Sequence, residues 1–321
     1  MIKILANDGI DPIGKALLEE AGFVVDTETV PQDKLVEALK DYDAITVRSA
    51  TQLRKETIDQ SPTIKLIGRG GVGMDNIDVD YARSKGIAVV NTPAASSLSV
   101  AELVFGHLFT GVRFLQDSNR KMPVEGATKF NSLKKAYAKG VELRGKTLGI
   151  IGFGRIGRET ASVALGLGMN VVAYDLYPFE GNITLNLQGG ITVDIPVKTV
   201  SLEEVVTESD FISLHTPFAD KPILGAEEFA KMKDGVGVVN CSRGGTIDEP
   251  ALLAALDSGK VSFAGLDVFD NEPTPLAALL SHPKISLTPH IGASTNEAQE
   301  RIGTELANLI IAHFKKQDLM H

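Results

Sequence analysis

Short apolar runs punctuate the chain, and most are followed by a segment whose apolar residues return at helical spacing. In the first hundred residues the runs are IKILAN (2–7), FVV (23–25), AITV (44–47), KLIGRG (65–70) and IAVVN (87–91). The intervening segments predict helices near Pro12–Ala21, Gln32–Leu39 and Val79–Lys85. Runs this short and this uniformly apolar read as strands buried on both faces, as in a parallel sheet covered by helices. SLSVAELVFGHLFTGVRFLQ (97–116) predicts one long helix. Residues 117–145 are polar, lysine-rich and weakly patterned, and predict an irregular crossover. A second series of runs follows: TLGIIG (147–152), NVVAYD (170–175), FISLHTP (211–217), GVVNCS (237–242), FAGLDVF (263–269) and ISLTPH (285–290). Helices fit between most of these, and a last helix is predicted near Ser294–Phe314.

The pattern is α/β, with two doubly wound parallel-sheet domains. A length of 321 residues suits that division. The last helix is expected to return to the first unit. That gives a discontinuous smaller domain, 1–98 and 291–321, and a larger one, 99–290.

Composition narrows the function classes. The single cysteine, Cys241, leaves no internal disulfide and no cysteine-based metal site, and no metal is expected. No secretory signal opens the chain, and no apolar run approaches the ~20 residues that span a bilayer. The expected setting is the cytoplasm, away from membranes. A net charge of −9 without any lysine or arginine block argues against nucleic acid as a partner. Anions must then be held by placed arginines or helix N-termini.

One stretch asks for a ligand. GFGRIG (152–157) follows the strand-like TLGII and opens a helix-like RIGRETASVALGLG. The next strand ends in Asp175, 18 residues beyond Gly157. Gly152, Gly154 and Gly157 fit the tight turn, the close approach to a pyrophosphate and the helix–strand packing of a dinucleotide site, with Asp175 for the ribose. A carboxylate there accepts from both ribose hydroxyls and repels a 2′-phosphate, so the reading is NAD rather than NADP. The other reading is a tight strand–helix turn with an incidental aspartate.

Hydride transfer at a carbon bearing oxygen needs a proton shuttle and a group that holds a carboxylate. Three strand ends offer such chemistry: Arg243 in VVNCSRGGTIDE, Glu272 in GLDVFDNEP and His290 in SLTPHIGAST. Arginine presents a planar fork to a carboxylate, and histidine titrates near neutrality. Taken singly, each has an ordinary reading as a capping arginine, a solvated loop acid or a satisfied loop histidine. Of the other histidines, His107 reads as core, His215 as architectural, and His282, His313 and His321 as surface groups.

With these motifs in order, the chain resembles the D-isomer-specific 2-hydroxyacid dehydrogenases, most closely their phosphoglycerate dehydrogenase branch. The resemblance runs through VRSAT (47–51), GRGGVGMDNIDVDYARSKGIAVVNTP (68–93), AELVFG (101–106), ELRGKTLGIIGFGRIGRE (142–159), LHTP (214–217), VNCSRGGTIDEPAL (239–252), GLDVFDNEP and LTPHIGAST. It implies a Rossmann NAD-binding domain, a smaller flavodoxin-like substrate domain, and the cofactor NAD. It implies His290 as general acid/base with its pKa raised by Glu272, and Arg243 as the carboxylate-binding residue. It also implies cofactor contacts by Arg155 and Ile156 at the turn, and by Thr216, Cys241 and Asp267 toward the nicotinamide. Cys241 is otherwise an inert buried thiol. Backbone groups of Val72 and Gly73 would meet the substrate carboxylate, and Arg48 and Arg69 a substrate phosphate. Lys134 or Lys135 of a neighbouring subunit is a further candidate for the phosphate, in the segment that departs most from the family pattern. The implied reaction is NAD-dependent oxidation of D-3-phosphoglycerate to 3-phosphooxypyruvate in serine biosynthesis. Reduction of glyoxylate or hydroxypyruvate stays open within the class, and an NAD-sensing corepressor-like role outside it. The expected partners are a small 2-hydroxy or 2-oxo acid and a second copy of the chain, paired through about 98–148. The chain resembles the short form of the branch, so serine feedback is not expected.

Overall fold

The computed structural model describes residues 1–218 and 220–318; His321 lies outside the described residues. The first sheet holds β1 (Lys3–Ala6), β2 (Val24–Asp26), β3 (Ala44–Val47), β4 (Leu66–Arg69) and β5 (Ala88–Asn91). Between them run α1 (Pro12–Glu20), α2 (Leu35–Leu39), α3 (Lys55–Asp59) and α4 (Val79–Ser84). All neighbours pair parallel in the order β2-β1-β3-β4-β5, the flavodoxin-like arrangement. Then come α5 (Ser97–Val112) and α6 (Leu115–Ala136). The second sheet holds β6 (Thr147–Ile151) and β7 (Asn170–Tyr174), with α7 (Arg155–Gly166) between them. A hairpin of β8 (Glu180–Leu187) and β9 (Ile191–Lys198) follows. The chain continues through α8 (Leu202–Glu208), β10 (Phe211–Leu214), α9 (Ala226–Lys231), β11 (Val236–Asn240), α10 (Glu249–Ser258), β12 (Val261–Leu266), α11 (Ala277–Ser281), β13 (Ile285–Leu287) and α12 (Asn296–Asp318). This sheet is also parallel, in the order β13-β12-β11-β10-β6-β7.

The chain divides into two compact units, Met1–Ser97 with the segment from Ala293 onward, and Leu98–Gly292. What brings the last helix to the first unit is a bare crossing. A Cβ on Gly14 of α1 would lie 2.6 Å from the carbonyl oxygen of Gly303 on α12, so neither helix tolerates a side chain there. The close approach packs Leu306, Ile310 and Phe314 against Ile4, Leu18 and Leu66. Each such buried side chain contributes about 1.5–3 kcal/mol.

Two segments depart from the sequence expectation. Residues 117–145 are not mainly an irregular crossover, because α6 occupies most of them. It starts at Phe114 in the left-handed region (φ 55°), carries Pro123 inside, and is distorted at Lys129 (φ −126°). A polar helix with few buried residues has no apolar stripe to announce it; ion pairs one turn apart, Lys121–Asp117 at 2.9 Å and Lys129–Glu125 at 3.2 Å, support it. The second departure is the β8–β9 hairpin. Its signal was present in NITLNLQGGITVDIPV, two alternating runs around Gly189–Gly190. Ile183 faces Ile195 and Leu185 faces Val193. The hairpin stands where a crossover helix is expected, and the next residue, Thr199, makes a parallel bridge to Ala173 of β7. A single bridge thus takes the place of the third strand of the dinucleotide fold.

Among the described residues no single helix is long and apolar enough to cross a membrane. His282 is not a free surface group: its side chain is 11% exposed and its Nδ1 accepts from the Lys284 amide. His313 is half-buried beside the Phe314 ring.

Candidate active site

The three glycines behind β6 are needed for three different reasons. Gly152 is left-handed (φ 94°), and a Cβ there would lie 2.6 Å from the His215 carbonyl oxygen. At Gly157 a Cβ would lie 2.1 Å from the Gly152 carbonyl oxygen, so α7 packs against the turn only without a side chain. Gly154 has an ordinary φ of −72°, and nothing lies within 4 Å of its Cβ position. Neither conformation nor packing within the chain asks for glycine there. A ligand pressed against bare backbone does, and Gly154 caps the N-terminus of α7, where free amides and the helix dipole attract phosphate. Arg155 and Ile156 form the first turn of that helix, exposed and half-buried respectively. Asp175, just past β7, accepts hydrogen bonds from the amides of Phe153 (2.6 Å) and Tyr177 (2.9 Å). Its carboxylate is thereby fixed beside the glycine turn. Thr216, just past β10, has a buried hydroxyl with no partner, a second observation that fits a bound polar ligand. His215 is architectural in its geometry: it sits beside Ser213 Oγ at 2.9 Å, and burial pushes its pKa down to about 3.

Arg243, Glu272 and His290 stand in the same unit, in the loops that leave β11, β12 and β13. These are carboxyl ends of parallel strands, where ligands bind in open α/β sheets. The Arg243 loop is held from within. Its carbonyl accepts from Asn240 Nδ2 (2.9 Å) and Thr246 Oγ1 (2.8 Å), and its Nη1 donates to the Ser242 carbonyl (2.7 Å). The next residue, Gly244, has no room for a Cβ, which would lie 2.0 Å from the Phe269 carbonyl oxygen. The Arg243 loop therefore passes directly against the loop that carries Glu272.

Glu272 uses both carboxylate oxygens. Oε1 accepts from the Phe269 amide (3.0 Å) and Oε2 lies 2.7 Å from His290 Nδ1. Burial pushes the Glu272 pKa up, but the hydrogen bond and charge of His290, the Phe269 amide and the Arg243 charge outweigh it, and the net shift is downward. His290 itself is left-handed (φ 55°), which costs a residue with a Cβ about 1–3 kcal/mol unless its surroundings impose it. With Nδ1 engaged by Glu272, Nε2 is the ring nitrogen left to exchange a proton, and the side chain is 45% exposed. Asp267 is 1% exposed, and its carboxylate is turned to the histidine loop: Oδ1 accepts from the Ile291 amide and Oδ2 from the Gly292 amide, both at 2.8 Å. Cys241 is buried, and burial together with the Asp267 charge pushes its thiol pKa well up, which makes it an inert thiol. Glu249 is a functional neighbour without a sequence signal: its Oε1 accepts from the Asp270 amide (2.9 Å) and steadies the Glu272 loop. Nothing in TIDEP shows that this acid is buried.

The first unit holds the remaining candidates. Arg48 follows β3 and Arg69 ends β4, on adjacent strands where Val47 pairs with Arg69. Arg69 donates to the Gly70 carbonyl (2.9 Å), and the Val72 carbonyl accepts from Asn91 (2.8 Å). Gly73 is half-buried in the same loop. Lys134 and Lys135 lie in the last turn of α6, in the second unit.

Residues 105–292 match the family described as D-isomer specific 2-hydroxyacid dehydrogenase, NAD binding domain. The chain belongs to the D-isomer-specific 2-hydroxyacid dehydrogenases. It is an NAD-dependent enzyme. It is similar to a hydroxypyruvate reductase of Thermotoga maritima, 43% identical over 96% of this chain and 97% of that one. It is also similar to a D-3-phosphoglycerate dehydrogenase of Methanocaldococcus jannaschii, 41% identical over 97% of this chain, which spans only 57% of that protein. Among solved structures it resembles the D-lactate dehydrogenase of Aquifex aeolicus, complexed with NAD and lactic acid, with a TM-score of 0.76, 31% identity, and coverage of 99% and 96%.

NAD, when bound to such a dehydrogenase, takes up or supplies the hydride. The residues that fit it here are Gly154 with the first turn of α7, Asp175 and Thr216. A guanidinium fork at Arg243 suits a carboxylate. Histidine suits proton exchange at a substrate oxygen, and the contact of His290 Nδ1 with Glu272 Oε2 leaves Nε2 for that role.

Proposed function

We propose that this dehydrogenase interconverts D-3-phosphoglycerate and 3-phosphooxypyruvate with NAD, the first step of serine biosynthesis. The observation that carries the reading is the pair Arg48 and Arg69 at the carboxyl ends of adjacent strands β3 and β4. Two guanidinium groups at neighbouring strand ends suit a phosphate dianion. Arg243 takes the carboxylate, and His290 takes the proton from the C2 hydroxyl as the hydride leaves C2. Reduction of hydroxypyruvate is the second reading, favoured by the reductase that matches the chain over nearly its whole length.

The test is kcat/KM for 3-phosphohydroxypyruvate, hydroxypyruvate and glyoxylate, each with NADH and NADPH. The proposal expects the phosphorylated acid to be preferred. Arg48→Ala and Arg69→Ala should each cost it about ten- to a hundredfold more than the unphosphorylated acids, the worth of one charge-assisted hydrogen bond. Equal losses on all three acids would favour the reductase reading. The proposal includes a homodimer through about 98–148, supported by exposed Val124 and Phe130 on α6 and checked by light scattering.

A further inference from the structure

The loop that carries His290 is held in an unfavourable backbone conformation, and the hydrogen bonds that hold it trace back to a residue the chemistry does not use. The His290 amide donates to the Asp267 carbonyl at 2.8 Å, and the next two amides donate to the Asp267 carboxylate. The same Oδ1 accepts from Thr288 Oγ1 at 2.6 Å. Because the Thr288 hydroxyl spends its proton on Asp267, it can only accept from its other neighbour, His107 Nε2, at 3.0 Å. That fixes the tautomer: Nε2 carries the proton, and Nδ1 accepts from Ser286 Oγ at 2.8 Å. The chain Ser286–His107–Thr288–Asp267 is therefore directional, with each group used in one sense. His107 lies on α5, 2% exposed, and α5 reaches the loop a second time where Ser99 Oγ donates to the Gly292 carbonyl at 2.7 Å.

We propose that His107 is a positioning residue that, through Thr288 and Asp267, locks the left-handed turn presenting His290 to Glu272. The proposal deepens the dehydrogenase reading and rests on His290 acting as its acid/base. His107 touches no reacting atom. Its role is to keep the Asp267 carboxylate oriented so that the two amides it holds, Ile291 and Gly292, stay fixed directly after the His290 amide, which the Asp267 carbonyl holds. An apolar residue of similar size at position 107 fills the space but leaves the Thr288 hydroxyl free to turn away from Asp267.

The test compares Thr288→Val and His107→Leu, which break the chain, with Thr288→Ser, which keeps the hydroxyl. Misplacing an acid/base by about 1 Å costs up to about a hundredfold, so kcat should fall about ten- to a hundredfold in the two breaking variants. The NADH dissociation constant should stay unmoved, and Thr288→Ser should retain kcat. A readout independent of turnover is the ring N–H resonance of His290 in 15N-histidine-labelled protein, assigned by its loss in Glu272→Gln. It should broaden or disappear in Thr288→Val and persist in Thr288→Ser. Unchanged kcat and an unchanged resonance in Thr288→Val would overturn the proposal. So would a weakened NADH affinity at normal kcat, which would assign the chain to the cofactor. If the resonance responds as expected but the unaltered chain reduces no 2-oxo acid, the dehydrogenase chemistry fails and the positioning role stands.

Discussion

Gly154 and Gly157 lie three residues apart in one turn, and the structure assigns them opposite jobs. Alanine at 157 puts a methyl carbon 2.1 Å from the Gly152 carbonyl oxygen, more than an ångström inside ordinary contact, against backbone that is itself in a left-handed turn. The turn or the start of α7 must shift, and overpacking of this kind costs typically about 1–3 kcal/mol. For a unit of this size that lowers the melting temperature by roughly 2–12 °C. Alanine at 154 meets nothing within 4 Å at φ −72°. Alanine is a poorer N-cap than glycine by about 0.5–1 kcal/mol, and the stiffer unfolded chain offsets about 0.4–1 kcal/mol of that, so stability should change by less than about 0.5 kcal/mol. That methyl instead occupies the space beside the α7 amides. Losing one or two charge-assisted hydrogen bonds to a phosphate should weaken NADH about ten- to a hundredfold or more. Calorimetry of the ligand-free variants and NADH fluorescence titration read the two effects separately. Equal melting of the two variants, or tight NADH binding by Gly154→Ala, would refute the division of labour.

Other consequences are as direct. Gly14→Val should destabilise the first unit by about 1–3 kcal/mol, because its Cβ meets the Gly303 backbone rather than a movable side chain; hydrogen exchange in α1 and α12 reports it. The Tyr42 hydroxyl donates to Asp26 Oδ2 at 2.7 Å, and burial, with that carboxylate, pushes its pKa up to about 12. A raised folded-state pKa means the contribution is complete below pH 10 and is lost as pH rises toward 12; Tyr42→Phe should remove the latest phenolate step and flatten stability in that window. Asp175→Ala should bring the NADPH and NADH affinities closer together and also loosen the glycine turn, since both carboxylate oxygens hold backbone amides; titration of the two cofactors separates the effects.

How much of this was readable beforehand follows from what each feature depends on. The parallel strands were legible because both faces are buried, so AITV and TLGII are almost wholly apolar and carry no charged residue. Arg243, Glu272 and His290 were legible because each follows such a strand. Helix α6 was not, since Pro123 and Gly126 look like breakers and its side chains face water rather than a core. The hairpin is less legible because a helix is the usual link between parallel strands, although its alternation is present in the sequence. The hydrogen-bond chain from His107 to the histidine loop lay beyond sequence reasoning altogether. In AELVFGHLF the histidine looks like one more core residue, and only the approach of α5 to Ser286 and Thr288 gives its nitrogens a purpose.

In the proposed mechanism His290, held by Glu272, moves the proton in an NAD-linked reaction of a 2-hydroxy acid. NADH oxidation by His290→Asn with the 2-oxo acid turned over by the unaltered chain tests it most directly. Loss of the acid/base should lower kcat by about 10²–10⁴-fold while NADH still binds normally. A variant that retains kcat within about tenfold of the unaltered chain would contradict the claim.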